Sequence, residues 1–308
     1  MLVLAEGALR LFPLFRPLPR TYVGEYENRP GAMNWRVRDA VLGWRMGPFK
    51  HSALYQTNSQ GFRAPSDFAP NPTCKEIVFA GDSITFGVKA KFENTFASLT
   101  QAGIPGACAY NMGIPGFGLD QIWLTVRTHA LPLHPQLVVV TFTSSNFTRS
   151  EEAYRSTEGF NKPVFKPVDG QLVPKAPQDR PNFFVRFLEQ HSSLWRVARL
   201  ADRTLAHRYP HGEWWYLNAA ILDAIRDDCR NAEVPVLFVY IPSRAGGPFP
   251  SLHRYMSRNQ ANFLDLSQGQ FALTPDMFIP GGDLNDKGNR HVADALQRWL
   301  QHNSPIWE

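Results

Sequence analysis

A three-layer α/β/α sandwich with a central parallel sheet of about five strands is the fold this 308-residue sequence predicts. Two observations predict it. Short apolar runs without polar alternation, the mark of strands buried on both faces, recur from residue 75 onward. Stretches of helical character separate them, so successive strands are joined by crossovers rather than hairpins. Composition agrees: 44% hydrophobic and 19% charged residues are enough to bury a real core. That excludes a disordered tail, a collagen-like fibre and a coiled coil.

The elements follow in order. Lys75-Glu-Ile-Val-Phe-Ala80 is the first strand, broken by Gly81-Asp82-Ser83. Residues 93–102 read as a helix with Asn94 and Thr95 as candidate caps. Cys108 to Met112 is a second strand, ending in the turn Gly113-Ile-Pro-Gly116-Phe-Gly118, and Leu119 to Ala130 is a helix. Leu137-Val-Val-Val-Thr-Phe142 is the most strand-like run in the chain. Leu217 to Cys229 is a helix, Val234 to Ile241 a fourth strand, Phe263 to Leu266 a short fifth, and residues 285–301 the closing helix. Residues 74–303 thus form the domain. Residues 147–215 interrupt it as an irregular insertion, proline-rich at 160–182 and amphipathic at 183–207. Trp214-Trp215 and the Phe-rich 183–187 stretch read as core, with cleft lining the alternative. Residues 21–73 read as an extended lead-in rich in Pro, Gly and Asn.

Residues 1–20 differ from the rest. The first 50 residues carry seven arginines and Lys50 against four acids, so most of the net charge of +5 is local and the remainder is nearly neutral. Nucleic-acid binding, which needs a basic patch interleaved with aromatics, is not expected. Met1 to Phe15 is apolar apart from Glu6 and Arg10, an i,i+4 pair on a helix, and is followed by Arg16 and Arg20. Three readings stay open: a helix docked on the domain, a helix lying on a membrane surface, or the end of a membrane anchor that begins upstream. The stretch lacks an n-region and a small-residue cleavage site, so it does not read as a secretory signal peptide. No run of 18 apolar residues encodes a complete transmembrane helix. A cell-envelope or membrane-face location is the expectation.

In a doubly wound sheet, function collects at the carboxyl ends of the strands near the switch point. Those ends carry Asp82-Ser83, then Gly113 to Gly116, then Ser144-Ser145-Asn146. A serine at a strand-to-helix turn, a glycine turn with a free N–H and an asparagine amide together offer a nucleophile and three donors for an oxyanion. The simpler readings are a helix cap for Ser83 and turn chemistry for Gly116.

Phe79-Ala-Gly-Asp-Ser-Ile-Thr-Phe-Gly87 resembles block I of the SGNH (GDSL-type) hydrolases, and Asn111 to Gln121 resembles their block II. Leu42-Gly-Trp-Arg45 with Asn58-Ser-Gln-Gly-Phe-Arg63 is similar to bacterial members that carry an N-terminal membrane segment. The resemblance covers residues 42–300 and implies a flavodoxin-like SGNH sandwich. It implies Ser83 as nucleophile, Gly116 and Asn146 as oxyanion partners, and an esterase or O-acyltransferase. The substrate class it implies is an acylated small molecule, lipid or carbohydrate; no cofactor is expected, and nine histidines with no paired spacing near cysteines give no metal site.

Two blocks depart from the pattern. The family's Gly-x-Asn-Asp stands here as Ser144-Ser145-Asn146-Phe147. Its last block, Asp-x-x-His or Asp-x-His before a helix, stands as Ile279-Pro-Gly-Gly-Asp-Leu-Asn-Asp-Lys-Gly288. Aligned on Asn285 and Gly288, Asp283 replaces the histidine and Gly281 its aspartate; the other alignment makes Asp286 the replacement. Either way an aspartate stands where the base belongs. A serine hydroxyl without a base is a poor nucleophile, and three accounts compete. The fold recruits His291, His253, His207 or His211; Asp283 acts as a displaced base; or the site only binds, as a pseudoenzyme.

No Gly-x-Ser-x-Gly elbow, His-Glu-x-x-His or P-loop occurs. Residues 283–288 echo a calcium loop, but Lys287 takes a ligand position. Cys74 and Cys108 stand at the starts of neighbouring strands. Two buried thiols are the expectation, a disulfide the alternative in an oxidising compartment.

Overall fold

The computed structural model describes residues 2–11, 35–155, 158–175, 213–242 and 250–303, with short helical pieces between 187 and 198. The core is a five-stranded sheet in the order β11-β10-β5-β3-β4, with every pairing in it parallel. Its strands are β3 (Lys75–Ala80), β4 (Ala107–Asn111), β5 (Leu137–Phe142), β10 (Val236–Tyr240) and β11 (Phe263–Asp265). The expected α/β architecture is therefore the observed one.

Strand periodicity of two sorts the apolar runs onto two faces. Ile77, Phe79, Leu137, Val139, Leu237 and Val239 face one layer, made by α3 (Phe96–Gly103) and α8 (Asp286–His302). Val78, Ala80, Val138, Val140, Phe142 and Phe238 face the other, made by α4 (Leu119–Thr125) and α6 (Glu213–Asn231) with α7 (Pro250–Arg258). Central strand β5 is buried at all six positions, which is why it reads as one unbroken apolar run. The helix expected over 119–130 is α-helical to Thr125 and continues as a π turn over Val126–Ala130. The helix expected from 93 begins at Phe96, with the Thr95 hydroxyl accepting from the Ser98 N–H.

The lead-in contributes to the core. An antiparallel pair, β1 (Arg36–Asp39) and β2 (Gly43–Met46), and the segment after it bury Leu42, Trp44, Met46, Phe62 and Phe68. These are single large residues between turns, with no period for a sequence reading to detect. Arg63 is fully buried and donates to the carbonyls of Leu54, Phe86, Gly87 and Ala90. Two of those carbonyls close the short helix α2 (Ser83–Phe86), so the lead-in grips the turn that carries Ser83.

Within residues 147–215, α5 (Ser144–Arg149) leads into two hairpins, β6 (Tyr154–Arg155) with β7 (Phe160–Asn161) and β8 (Phe165–Val168) with β9 (Gln171–Pro174). The Lys162–Asp120 ion pair, with both side chains buried, ties this region to α4. Trp214 and Trp215 belong to the core, Trp215 against Phe147 and Tyr255. The Glu6 carboxylate of α1 (Leu2–Arg10) accepts from the Ser192 hydroxyl and from the N–H groups of Ser193 and Leu194. The Arg10 side chain, His207, His211 and Phe183-Phe184 lie outside the described residues. No helix among the described residues is long and apolar enough to cross a membrane.

Cys74 and Cys108 form a disulfide, which corrects the expectation of two thiols. The register Lys75↔Ala107 and Glu76↔Cys108 brings the two Cα atoms to 5.8 Å, inside the range a disulfide spans. Cys229 is the free, buried cysteine.

Candidate active site

The chain leaves β3 for edge strand β4 and returns to β5 on the other side of β3, so the switch point lies between β3 and β5. The turns after those two strands carry Ser83 and Asn146. Asp82 caps α2, its Oδ1 accepting from the Ile84 N–H at 3.1 Å, and Ser83 follows as the first helical residue. The Ser83 hydroxyl lies near enough to the Asp283 carboxyl to favour its charged form.

Asp283 closes a tight turn. The Ile279 N–H donates to the Asp283 carbonyl at 2.9 Å and the Gly282 N–H to the Ile279 carbonyl at 3.1 Å. Gly281 sits at φ +119°, a conformation an L side chain adopts only with strain, so an aspartate in its place would be disfavoured. Burial pushes the Asp283 carboxyl above the usual aspartate range. The nearby Ser83 hydroxyl opposes that rise, the charge of Asp82 adds to it, and Arg149 and Lys89 oppose it. A carboxylate whose pKa is raised accepts a proton more readily at neutral pH. Asp286, the alternative replacement, is the exposed first residue of α8.

Gly116 takes φ +90°, which accounts for glycine there, and the Glu158 carboxylate lies against its Cα. Glu158 is held by Arg155 at 3.1 Å. Neither the Ser83 nor the Gly116 N–H has a partner among the described residues. Asn146 is placed by a capping box at the start of α5: its Oδ1 accepts from the Thr143 N–H at 2.6 Å and from the Thr143 hydroxyl at 3.1 Å. Its amide donates to Asp82 Oδ2 at 3.1 Å and to the Phe117 carbonyl at 2.8 Å. Both amide hydrogens are thereby engaged, and the residue is fully buried.

Three residues the sequence reading missed complete the site. Arg149, one turn after Asn146 on α5, donates through Nη1 to Asp82 Oδ2 at 2.7 Å and to the Phe117 carbonyl at 3.2 Å. Lys89 is exposed and its charge acts on Asp283. Tyr55, from the lead-in, lies under the Arg63 guanidinium; burial foremost holds its phenol above the usual range, Arg63 opposes that and the charge of Asp283 adds to it. The i,i+3 spacing of Asn146 and Arg149 was the available signal for Arg149; Tyr55 had none.

The described histidines sit elsewhere. His291 faces the Phe271 carbonyl at 3.1 Å, against the α8 side of the sheet. His253 lies 3.0 Å from Asp265 at the end of β11, three strands from β3 and so roughly 14 Å across the sheet. Among the described residues, no cluster of three or more His, Cys, Asp or Glu side chains is arranged to hold a metal ion.

No protein-family model matches the chain, and no curated protein does. Solved structures similar to it include a psychrotrophic esterase, EstA, from Pseudoalteromonas sp., at 12% identity and TM-score 0.44 over 74% of this chain and 97% of that one. A GDSL-like lipase from Bacteroides thetaiotaomicron is similar at 14% identity and TM-score 0.43, over 74% of this chain and 88% of that one. A member of the lipolytic G-D-S-L family from Veillonella parvula is similar at 11% identity and TM-score 0.41, over 72% and 96%. At this identity and overlap the likenesses say nothing of chemistry, which has to come from the residues around Ser83.

Proposed function

We propose that this chain is an SGNH-type ester hydrolase or O-acyltransferase that works through Ser83 with Asp283 as its proton acceptor. The observation that carries the reading is the placement of the Ser83 hydroxyl, at the first position of α2, near Asp283, a carboxyl whose proton affinity burial has raised. In the acylation step the Ser83 O–H proton passes to Asp283, Oγ bonds to the ester carbonyl carbon, and the carbonyl π pair moves onto its oxygen. Collapse expels the alkoxide, which takes the proton back from Asp283 and leaves an acyl-serine. Water or an acceptor hydroxyl then repeats the sequence. The Gly116 and Ser83 N–H groups, unpartnered among the described residues, are the backbone donors for the oxyanion.

Substrates of this site are acylated small molecules, lipids or carbohydrates, reached beside the lead-in and insertion that flank it. The basic, apolar segment over residues 1–20 suits a chain working near a membrane surface.

A binding role without turnover is the second reading, favoured by the engaged Asn146 amide. A serine-directed fluorophosphonate separates the two. Hydrolytic competence predicts a covalent adduct on the peptide containing Ser83, found by mass spectrometry and absent from Ser83→Ala. An unlabelled native chain would favour the binding role.

A further inference from the structure

Asn146 has spent both amide hydrogens, on Asp82 Oδ2 and the Phe117 carbonyl, and its oxygen is filled by Thr143. Arg149 shares those same two acceptors but uses Nη1 alone. Its Nη2 and Nε have no partner among the described residues, and its side chain is 19% exposed where that of Asp82 is 4%. The guanidinium thus bridges the turn bearing Ser83 and the turn bearing Gly116, with donors to spare and its charge acting on Asp283.

We propose that Arg149 binds the oxyanion beside Ser83, as the charged side-chain donor of an anion site that Asn146 does not serve. The inference deepens the acyl-transfer reading and rests on it for its catalytic part. Its logic follows from the proton acceptor. When a neutral imidazole takes the serine proton, an ion pair is created. When a carboxylate takes it, one negative charge moves from Asp283 to the carbonyl oxygen, and the total charge of the site is unchanged. A fixed cation that meets the charge at its destination favours that movement, and a neutral amide does so less. The other charges at the mouth are Lys89, which is exposed, Asp82, which Arg149 itself neutralises, and Glu158, which Arg155 holds.

The test combines an anion that needs no chemistry with an ester that does. Methylphosphonate, a small tetrahedral dianion, is titrated by calorimetry into the native chain, Ser83→Ala, Arg149→Met and Arg149→Lys; kcat and KM for p-nitrophenyl acetate are measured on the same proteins. The native chain and Ser83→Ala are expected to bind methylphosphonate with similar affinity. Arg149→Met is expected to weaken it about tenfold or more, the scale of a lost charge-assisted hydrogen bond, and to lower kcat about 10²–10³-fold with KM little changed. Arg149→Met also strips Asp82 of its cation, so Arg149→Lys is the control for folding. It keeps that ion pair and is expected to melt with the native chain, yet a single ammonium lacks the guanidinium fork and recovers little anion binding. The inference is overturned if the native chain does not bind methylphosphonate, or if Arg149→Lys binds it as the native chain does. If no protein turns over the ester while methylphosphonate binding still depends on Arg149, the anion site stands and acyl transfer falls.

Discussion

Replacing Arg63 with methionine removes a buried cation from four carbonyl oxygens while filling much of its volume. The guanidinium donates to Phe86 at 2.6 Å, Ala90 at 2.6 Å and Leu54 at 2.9 Å, and also to Gly87. It lies over the Tyr55 and Phe86 rings, and burial pulls its pKa down to about 10, so it stays charged at neutral pH. Each acceptor stranded without a donor is worth about 1 kcal/mol at the low end, so the loss is on the order of 4 kcal/mol. For a domain of this size that corresponds to roughly 8–16 °C in melting temperature. Arg63→Lys reaches fewer of the four acceptors and is expected to fall between. Thermal unfolding followed by circular dichroism reads both. A melting temperature for Arg63→Met within about 2 °C of the native chain would refute the view that the lead-in clamps the Ser83 turn.

Other consequences are open to direct measurement. With Cys74 and Cys108 joined and the Cys229 thiol buried and pushed up to about 12, the native chain is expected to show no thiol to Ellman's reagent. One thiol should appear on unfolding and three after reduction; a third of the cysteine reacting in the native state would contradict the burial of Cys229. Closing a loop of sequence separation 34 is worth about 3–4 kcal/mol, so reduction should lower the urea midpoint accordingly. Lys162→Met strands the Asp120 carboxylate in the core and is expected to destabilise by about 3–5 kcal/mol, whereas Lys162→Met with Asp120→Leu recovers most of that. Equal urea midpoints for the single and double variants would contradict a buried ion pair.

The parts of this molecule that repeat were legible in its sequence, and the parts that depend on pairing were not. Leu137–Phe142 announces itself because a strand covered on both faces is apolar throughout. The turn after β3 was legible because Gly81-Asp82-Ser83 interrupts such a run. The burial of Trp44, Phe62 and Arg63 left no trace, since it comes from contacts made across the chain and not from any local period. The disulfide needed the β3–β4 register. Asn146 illustrates a subtler limit: its position at the end of β5 was readable, but what its amide bonds to was not, because Asp82 and Phe117 arrive from other turns. Asp283 was visible as a departure from a pattern; that it stands near Ser83 depends on the turn over Ile279–Gly282.

The most direct test of Asp283 as the proton acceptor of Ser83 is the pH dependence of kcat/KM for p-nitrophenyl acetate in the native chain, Asp283→Asn and Asp283→His. The acceptor must be deprotonated to work, so activity should rise with pH through the Asp283 pKa and then level. Because burial raises that pKa, the rise should lie above the ordinary aspartate value of about 3.9. Asp283→Asn should lose the rise and most of the activity, and Asp283→His should move the rise toward about 6.5, the histidine value. An unaltered profile in Asp283→Asn would assign the proton to another group and contradict the account.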